Sequence, residues 1–177
     1  TGEADRTWII FTSDHGLAVG QHGLMGKQNL YDHSLRVPFV IAGPGVARDR
    51  RLEMPIYLQD AMATSLAIAG AAPDKQIEFQ NLLPIVQGEK PAAIRDSIYA
   101  AYLDLQRAVI HDGWKLILYP KIGVIRLYHV TSDPDELHDL AADSSQTERI
   151  VDLFRRLKGL QREFDDPLDL TIAFPRY

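Results

Sequence analysis

The sequence contains no cysteine and no excess of positive charge, and both absences exclude classes of function. Without cysteine, the chain can form no disulfide, no thiolate zinc site and no thiol nucleophile. A net charge of −5 argues against nucleic acid as a partner, because phosphate binding depends on clustered basic side chains. No apolar run approaches the roughly 20 residues that span a bilayer, so we predict no membrane segment.

The first half of the chain has the pattern of an α/β domain. Residues 8–11 and 36–42 are short apolar runs, which are typical of strands buried on both faces. Residues 56–69 have helical spacing before Gly70, a suitable helix end. We predict that residues 1–90 form part of an α/β domain. Because nothing precedes the first strand to cover it, we expect the chain to be a fragment of a longer protein.

The pattern changes after about residue 91. Four short runs rich in β-branched and aromatic residues follow, at 97–102, 107–112, 114–119 and 126–130. Asp112-Gly113 between the second and third runs is a strong hairpin signal. An amphipathic helical stripe then comprises Ile150, Leu153, Phe154, Leu157, Leu160 and Phe164. We predict a small antiparallel sheet packed with a C-terminal helix over residues 91–177.

The segment after the first strand carries the residues with the most chemistry. Asp14 and His15 come where that strand ends, and in open α/β sheets ligands bind outside the carboxyl ends of strands. A carboxylate suits a hard cation, and a histidine can bind a metal or donate to an anion. His22 and Lys27 follow among four glycines, and a lysine suits a phosphate or sulfate oxygen. This combination indicates an oxyanion held between a metal and Lys27.

Simpler interpretations of the same residues stay open. Asp-His-Gly can be an ordinary turn in which Asp14 bonds to the backbone. Taken alone, His22 is more typical of a hydrogen-bonded loop residue than of a ligand, and Lys27 more typical of a solvated side chain. The position of His15 directly after a strand, with Lys27 following across a glycine-rich loop, favours the functional interpretation.

The order of motifs along nearly the whole chain resembles the C-terminal half of the type I sulfatases of the alkaline phosphatase superfamily. The series continues beyond the opening loop into residues 58–70, 81–88 and 127–140, with departures at Ala63, Asn81, His129 and Asp139. No single motif is specific, whereas the ordered series is. Its opening members are Ser13-Asp14-His15-Gly16, Gly20-x-His22-Gly23-x-x-Gly26-Lys27, Tyr31-Asp32-x-Ser34-x-Arg36-Val37-Pro38 and Gly43-Pro44-Gly45.

The resemblance implies a fold and roles for individual residues. The fold is α/β: the C-terminal part of an alkaline-phosphatase-like sheet with helices, followed by the small antiparallel sheet. Asp14 corresponds to a calcium ligand of the family, and His15 to a residue beside the metal and the sulfate. Lys27 corresponds to the lysine that contacts the sulfate and stabilises charge on it. We therefore expect catalytic roles for Lys27 and His15, substrate binding by Lys27 and His22, and metal binding by Asp14 and His15.

The resemblance also implies parts that this chain does not contain. The family's nucleophile is a formylglycine made from Cys or Ser in a Cys/Ser-x-Pro/Ala-x-Arg motif, and no such motif occurs here. We expect it, with the remaining calcium ligands, in an N-terminal half of the same protein, so that this chain alone would be inactive. Asp165-Asp166 follows the last helix and is interpreted as a solvated end. A periplasmic or secreted location is the family expectation.

Three functions stay open from the sequence. The leading hypothesis is a calcium-assisted, formylglycine-dependent sulfatase that acts on a sulfated small molecule or sugar. A phosphonate monoester hydrolase or phosphodiesterase of the same superfamily shares much of this architecture, and the loop does not separate the two. The third hypothesis is a non-catalytic binding module that retains only the sheet and the helix.

Overall fold

The computed structural model describes residues 2–72, 75–89 and 94–177, which form two compact units. One unit consists of Thr1–Asp14 with Val37–Asp96, and the other of His15–Arg36 with Ser97–Tyr177. The segment that follows the first strand therefore belongs to the same unit as the C-terminal sheet. The domain boundary predicted between residues 90 and 91 lies outside the described residues.

The elements of both units follow each other as short strands and helices. None of the helices in the described ranges has the length and apolar character needed to cross a membrane. The α-helices are α1 (Asp32–Leu35), α2 (Asp60–Ile68), α3 (Leu83–Val86) and α4 (Thr147–Glu163). The strands are β1 (Ile9–Thr12), β2 (Ala18–Val19), β3 (Met25–Gly26), β4 (Phe39–Ala42), β5 (Ser97–Tyr102), β6 (Gln106–His111), β7 (Trp114–Tyr119) and β8 (Val124–His129).

The first unit contains an antiparallel two-stranded sheet. β1 pairs with β4, with Ile9 opposite Ala42, so both predicted strands are present. One face of this sheet packs on a small core around α3. The other face is open, and Ile9 and Phe11 are 60% and 62% exposed. The expectation of strands buried on both faces is therefore wrong for this chain, because no second layer of the described residues packs there.

Helix α2 of the first unit is anchored by polar side chains. Asp60 and Thr64, one turn apart, are fully buried. The apolar residues whose spacing predicted this helix stay partly exposed. Asp60 accepts hydrogen bonds from the backbone N–H groups of Tyr57 and Gln80, both at 2.8 Å, and pairs with Arg95. A buried carboxylate is tolerated only when it is satisfied in this way.

The second unit is built on the predicted four-stranded antiparallel sheet, in the order β5-β6-β7-β8. The hairpin between β6 and β7 turns at Asp112 and Gly113, which both have positive φ, as the sequence signal predicted. Helix α4 packs its predicted apolar stripe on one face of the sheet. The sheet and the helix could both be predicted because side chains alternate between the faces of a strand, whereas they recur on one face of a helix with a period of 3.6 residues. Members of this core include Val109, Leu116, Leu118, Leu127, Leu153, Phe154 and Leu157.

The opposite face of that sheet is covered by the segment His15–Arg36. Leu30 and Tyr31 pack there against Ala108, Ile117 and Tyr128. In β7, Lys115 and Ile117 point to this face, whereas Leu116 and Leu118 point to α4. The sheet is thus the platform on which the glycine-rich segment is built.

Candidate functional site

The glycine-rich segment begins with a close backbone contact at Gly16. Its N–H donates to the carbonyl oxygen of Ser34 at 2.9 Å, which ties the start of the segment to α1. A Cβ atom added at Gly16 would lie 2.0 Å from the carbonyl oxygen of His33. Only glycine therefore permits this approach. The segment then forms the β2–β3 hairpin, in which Ala18 pairs with Gly26 and Val19 with Met25.

The hairpin brings Lys27 back to His15. Nζ of Lys27 lies 2.6 Å from Nε2 of His15, and Nδ1 of His15 lies 2.8 Å from the carbonyl oxygen of Gly16. Because a carbonyl oxygen only accepts, Nδ1 carries the proton and donates to it, which leaves Nε2 to accept from the Lys27 ammonium. Lys27 is exposed and His15 half-buried. An ammonium has three donors, so Lys27 can bind an anion while it bonds to His15.

Asp14 lies at the end of the first unit, directly before His15 in the chain, and is exposed. Within the described ranges, no group of three or more His, Asp or Glu side chains is arranged to hold a metal ion. An exposed carboxylate fits a hard cation such as Ca²⁺, which takes six to eight oxygen ligands. Asp14 can thus supply one ligand of a calcium site. His15 fits less well, since both ring nitrogens already have hydrogen-bond partners.

His22 occupies a different place in the segment from His15 and Lys27. It adopts a left-handed backbone conformation, with φ of 53°, in the 3₁₀ turn Gln21–Gly23. Its ring stacks on Tyr31 with a centroid separation of 4.0 Å, and Nε2 lies 3.0 Å from the carbonyl oxygen of Asp135. His22 also lines a cavity of about 420 Å³. The other lining residues are Gln21, Asp32, His33, Arg36, Pro134, Asp135, Glu136 and Leu137.

His33 lies beside His22 at the same cavity. Its ring is 5.7 Å from Tyr31 and 5.7 Å from His22, between centroids. Burial lowers the pKa of His33 below its ordinary value, and electrostatic interactions with His22 and Lys115 lower it further. The neutral imidazole is therefore the favoured form at this wall of the cavity. Aromatic and imidazole rings beside carboxylates suit a polar ligand with an apolar face.

A buried group of charges lies beneath α1. Lys115 is fully buried in β7 and contacts the carboxylates of both Asp32 and Glu136, with 2.7 Å from its Nζ to Oε1 of Glu136. Oε2 of Glu136 accepts the backbone N–H of Asp32 at 2.6 Å. Burial raises the pKa of Glu136 above its ordinary value, although Lys115 opposes this shift.

The sequence reasoning missed Lys115 and Glu136. Asp32 and Arg36, two members of the motif series, approach each other within 3.7 Å. Arg36 is, however, 62% exposed, so this pair contributes little, whereas the Lys115 pairs are buried. A signal was present, since Lys115 interrupts an apolar strand at a position that shares a face with Ile117.

Comparisons with known proteins identify relatives over most of the chain. The family described as "N-sulphoglucosamine sulphohydrolase, C-terminal" matches residues 20–163. Arylsulfatase K of Xenopus laevis is 25% identical over 174 residues, which are 90% of this chain and 32% of that protein. An N-acetylglucosamine-6-O-sulfatase of Bacteroides thetaiotaomicron is 26% identical, over 93% of this chain and 32% of that protein. The chain thus spans about a third of the length of these relatives.

Solved structures share the fold of the chain. A structure described as a sulfatase from Bacteroides thetaiotaomicron has a TM-score of 0.80 at 24% identity, over 90% of this chain and 37% of that one. A structure solved with its substrate D-glucosamine-2-N,6-O-disulfate has a TM-score of 0.76 at 24% identity, over 94% and 36%. Phosphonate monoester hydrolase of Agrobacterium radiobacter has a TM-score of 0.77 at 25% identity, over 89% and 35%. These likenesses confirm the predicted fold class.

Proposed function

Because the chain belongs to the family of N-sulphoglucosamine sulphohydrolase C-terminal domains, as its motifs predicted, we propose that it is the C-terminal portion of a sulfatase that hydrolyses sulfate esters. The observation that carries the proposal is the pairing of Lys27 with His15, 2.6 Å apart, directly after Asp14 and the first strand. An exposed ammonium beside an imidazole is suited to an anionic group with several oxygens.

In this proposal Lys27 acts on the sulfate group itself. One N–H of its ammonium donates to Nε2 of His15, which fixes the direction of the side chain, and the other two donate to sulfate oxygens. The fixed positive charge offsets the negative charge that grows on the ester oxygen as the bond to sulfur breaks. His15 orients Lys27 from a ring that is itself held by the carbonyl oxygen of Gly16.

Two further parts belong to the proposed site. A bound calcium ion would neutralise charge on the sulfate oxygens, and the carboxylate of Asp14 would be one of its ligands. The formylglycine nucleophile and the remaining oxygen ligands would come from an N-terminal half of the same protein, because this chain has no cysteine and no matching serine motif. We propose that the chain is active only together with that half.

The proposed substrate is a sulfated sugar or another sulfated small molecule. The names of the N-acetylglucosamine-6-O-sulfatase and of the disulfated glucosamine complex among the relatives support a sugar. The cavity of about 420 Å³ lined by His22 and His33 is within the range of small-ligand sites. We propose that His22 contacts a part of the substrate away from the sulfate, since it lines this cavity and contacts Asp135 and Tyr31.

A phosphonate monoester hydrolase is the second candidate, because an enzyme of that class has a TM-score of 0.77 to this chain. The test is to assay the full-length protein with an aryl sulfate, glucosamine 6-sulfate and an aryl phosphonate monoester. Higher kcat/KM for the sulfate esters is expected. Faster turnover of the phosphonate would replace the sulfatase assignment, and turnover of none of the three would leave the binding-module hypothesis as the better account.

A further inference from the structure

We infer that Lys115 is a positioning residue for His15 and Lys27: it holds α1, and α1 holds the start of the segment that carries both. The inference rests on the proposed function, because its kinetic consequence assumes that His15 and Lys27 act on sulfate. Lys115 lies on β7, one of the two central strands of the C-terminal sheet, and its ion-pair partners are Asp32 and Glu136 rather than His15 or Lys27.

The first step is the burial of Lys115. Its side chain is completely removed from solvent near the start of β7, where Lys115 stands opposite Ile110 on β6 and Tyr128 on β8. A buried ammonium is costly unless charged partners surround it. Asp32 and Glu136 are those partners, so displacing either carboxylate removes one of the two contacts that stabilise the buried ammonium. Both carboxylates are therefore held in place by the same buried charge.

The second step runs from this group to α1. Asp32 is the first residue of α1, and both its side chain and its backbone are held in place. Its carboxylate pairs with Lys115, and its backbone N–H donates to Oε2 of Glu136 at 2.6 Å. Glu136 lies in the turn after β8, so α1 is fastened to two separate parts of the sheet unit. A four-residue helix has little stability of its own and depends on such contacts.

The third step runs from α1 to the candidate site. The carbonyl oxygen of Ser34 accepts the N–H of Gly16 at 2.9 Å, and the carbonyl oxygen of His33 occupies the space where a Cβ of Gly16 would lie. The carbonyl oxygen of Gly16 in turn accepts Nδ1–H of His15, whose Nε2 accepts Lys27. A shift of α1 therefore moves Gly16, the imidazole and the ammonium together.

A matched control exists in the neighbouring strand. Arg107 of β6 is also a buried cation, with a side chain 6% exposed, and it pairs with Asp166. Its other hydrogen bonds go to the carbonyl oxygens of Leu103 and Gln106. Replacing Arg107 thus removes a buried ion pair from the same sheet without touching α1.

The experiment compares Lys115→Met with Arg107→Met in the full-length protein labelled with ¹⁵N-histidine. Nitrogen NMR of the imidazoles distinguishes the Nδ1–H form of His15 from a mixture of tautomers. We expect Lys115→Met to convert His15 to a mixture and to lower kcat/KM per folded molecule by roughly 10- to 100-fold, as small misplacements of catalytic groups do. Arg107→Met is expected to lower the melting temperature but to leave both readouts unchanged.

The outcomes separate the inference from the proposed function. An unchanged His15 spectrum in folded Lys115→Met overturns the inference, as does an equal change in Arg107→Met. If Lys115→Met does not fold, Glu136→Gln replaces it, since glutamine removes one charge of the group while retaining an acceptor for the N–H of Asp32. A wild-type protein that hydrolyses no sulfate ester refutes the proposed function, while the spectra still decide whether Lys115 holds His15.

Discussion

Lys27 and His15 are twelve residues apart in the chain, yet their side-chain nitrogens lie 2.6 Å apart. The contact exists because the β2–β3 hairpin reverses the chain between them, and because Gly16 lets His15 approach α1. The Lys27 ammonium has three donors and uses one of them for His15, so it keeps its capacity to bind an anion.

Replacing Lys27 by alanine tests its role in charge stabilisation. We expect Lys27→Ala in the full-length protein to lower kcat by about 10²–10³-fold, because a fixed positive group that faces the developing charge is lost. Calcium content and melting temperature should stay at wild-type values. Lys121→Ala is the control, since Lys121 is also an exposed lysine, located between β7 and β8, and its partner is Asp104 between β5 and β6. Normal turnover by Lys27→Ala would contradict the assigned role.

Replacing Asp14 by alanine separates metal binding from sulfate binding. In Asp14→Ala we expect calcium and activity to be lost together, because a carboxylate ligand of a hard cation is removed. Metal content measured by atomic emission, alongside aryl sulfate turnover, checks this. Asp5→Ala removes an exposed carboxylate from the same unit and should change neither quantity. Retention of full calcium by Asp14→Ala would remove Asp14 from the metal site.

Gly16→Ala tests whether the approach of the loop to α1 matters for the site. The new methyl group would lie 2.0 Å from the carbonyl oxygen of His33, so the loop must move. We expect a loss of about 1–3 kcal/mol in the free energy of unfolding and a lower kcat/KM. Gly159→Ala in α4 is the control, because nothing lies within 4 Å of its added Cβ and alanine favours a helix by about 0.5–1 kcal/mol. Equal behaviour of the two variants would refute the packing argument.

Local periodicity accounts for how well the second unit could be predicted. β5 to β8 alternate and α4 carries an apolar stripe, and both patterns are encoded in neighbouring residues. The first unit was harder. The apolar residues of β1 predicted burial that the structure does not show, and α2 buries Asp60 and Thr64, because hydrogen bonds from distant residues satisfy them.

The candidate site was predictable only where its contacts are local. His15 and Lys27 could be predicted because both lie in one glycine-rich segment. Lys115 and Glu136 could not, because they contact Asp32 from 83 and 104 positions further along the chain. Asp166 shows the same limit. It was expected to be solvated, but its side chain is only 10% exposed and bonds to Arg107 and Tyr99, which lie 59 and 67 positions earlier in the chain. No local pattern encodes a partner at that separation.

Asp60 provides a stability test in the first unit. We expect Asp60→Ala to cost about 3–5 kcal/mol in the free energy of unfolding, because it leaves Arg95 and two backbone N–H groups without their acceptor. Denaturant titration measures the loss. Ser65→Ala on the same helix removes an exposed hydroxyl and should be close to neutral. A loss below about 1 kcal/mol for Asp60→Ala would show that the buried network is not important for stability.

Asp166 predicts how stability depends on pH. Burial raises the pKa of this carboxyl, but the hydrogen bonds from Arg107 and Tyr99 outweigh it and hold the pKa below its ordinary value. The unfolded carboxyl titrates near pH 3.9, so the stabilisation is complete above that pH and is lost as the pH falls through the lower folded-state pKa.

Asp166→Asn should therefore melt below the wild type at pH 7, and the difference should narrow from about pH 4 downward. Asp169→Asn removes an exposed carboxylate whose partner is Thr171, and it is the control for the general effect of losing one acidic side chain. A gap between wild type and Asp166→Asn that stays constant from pH 7 to pH 2 would mean that the charge of Asp166 contributes nothing to stability.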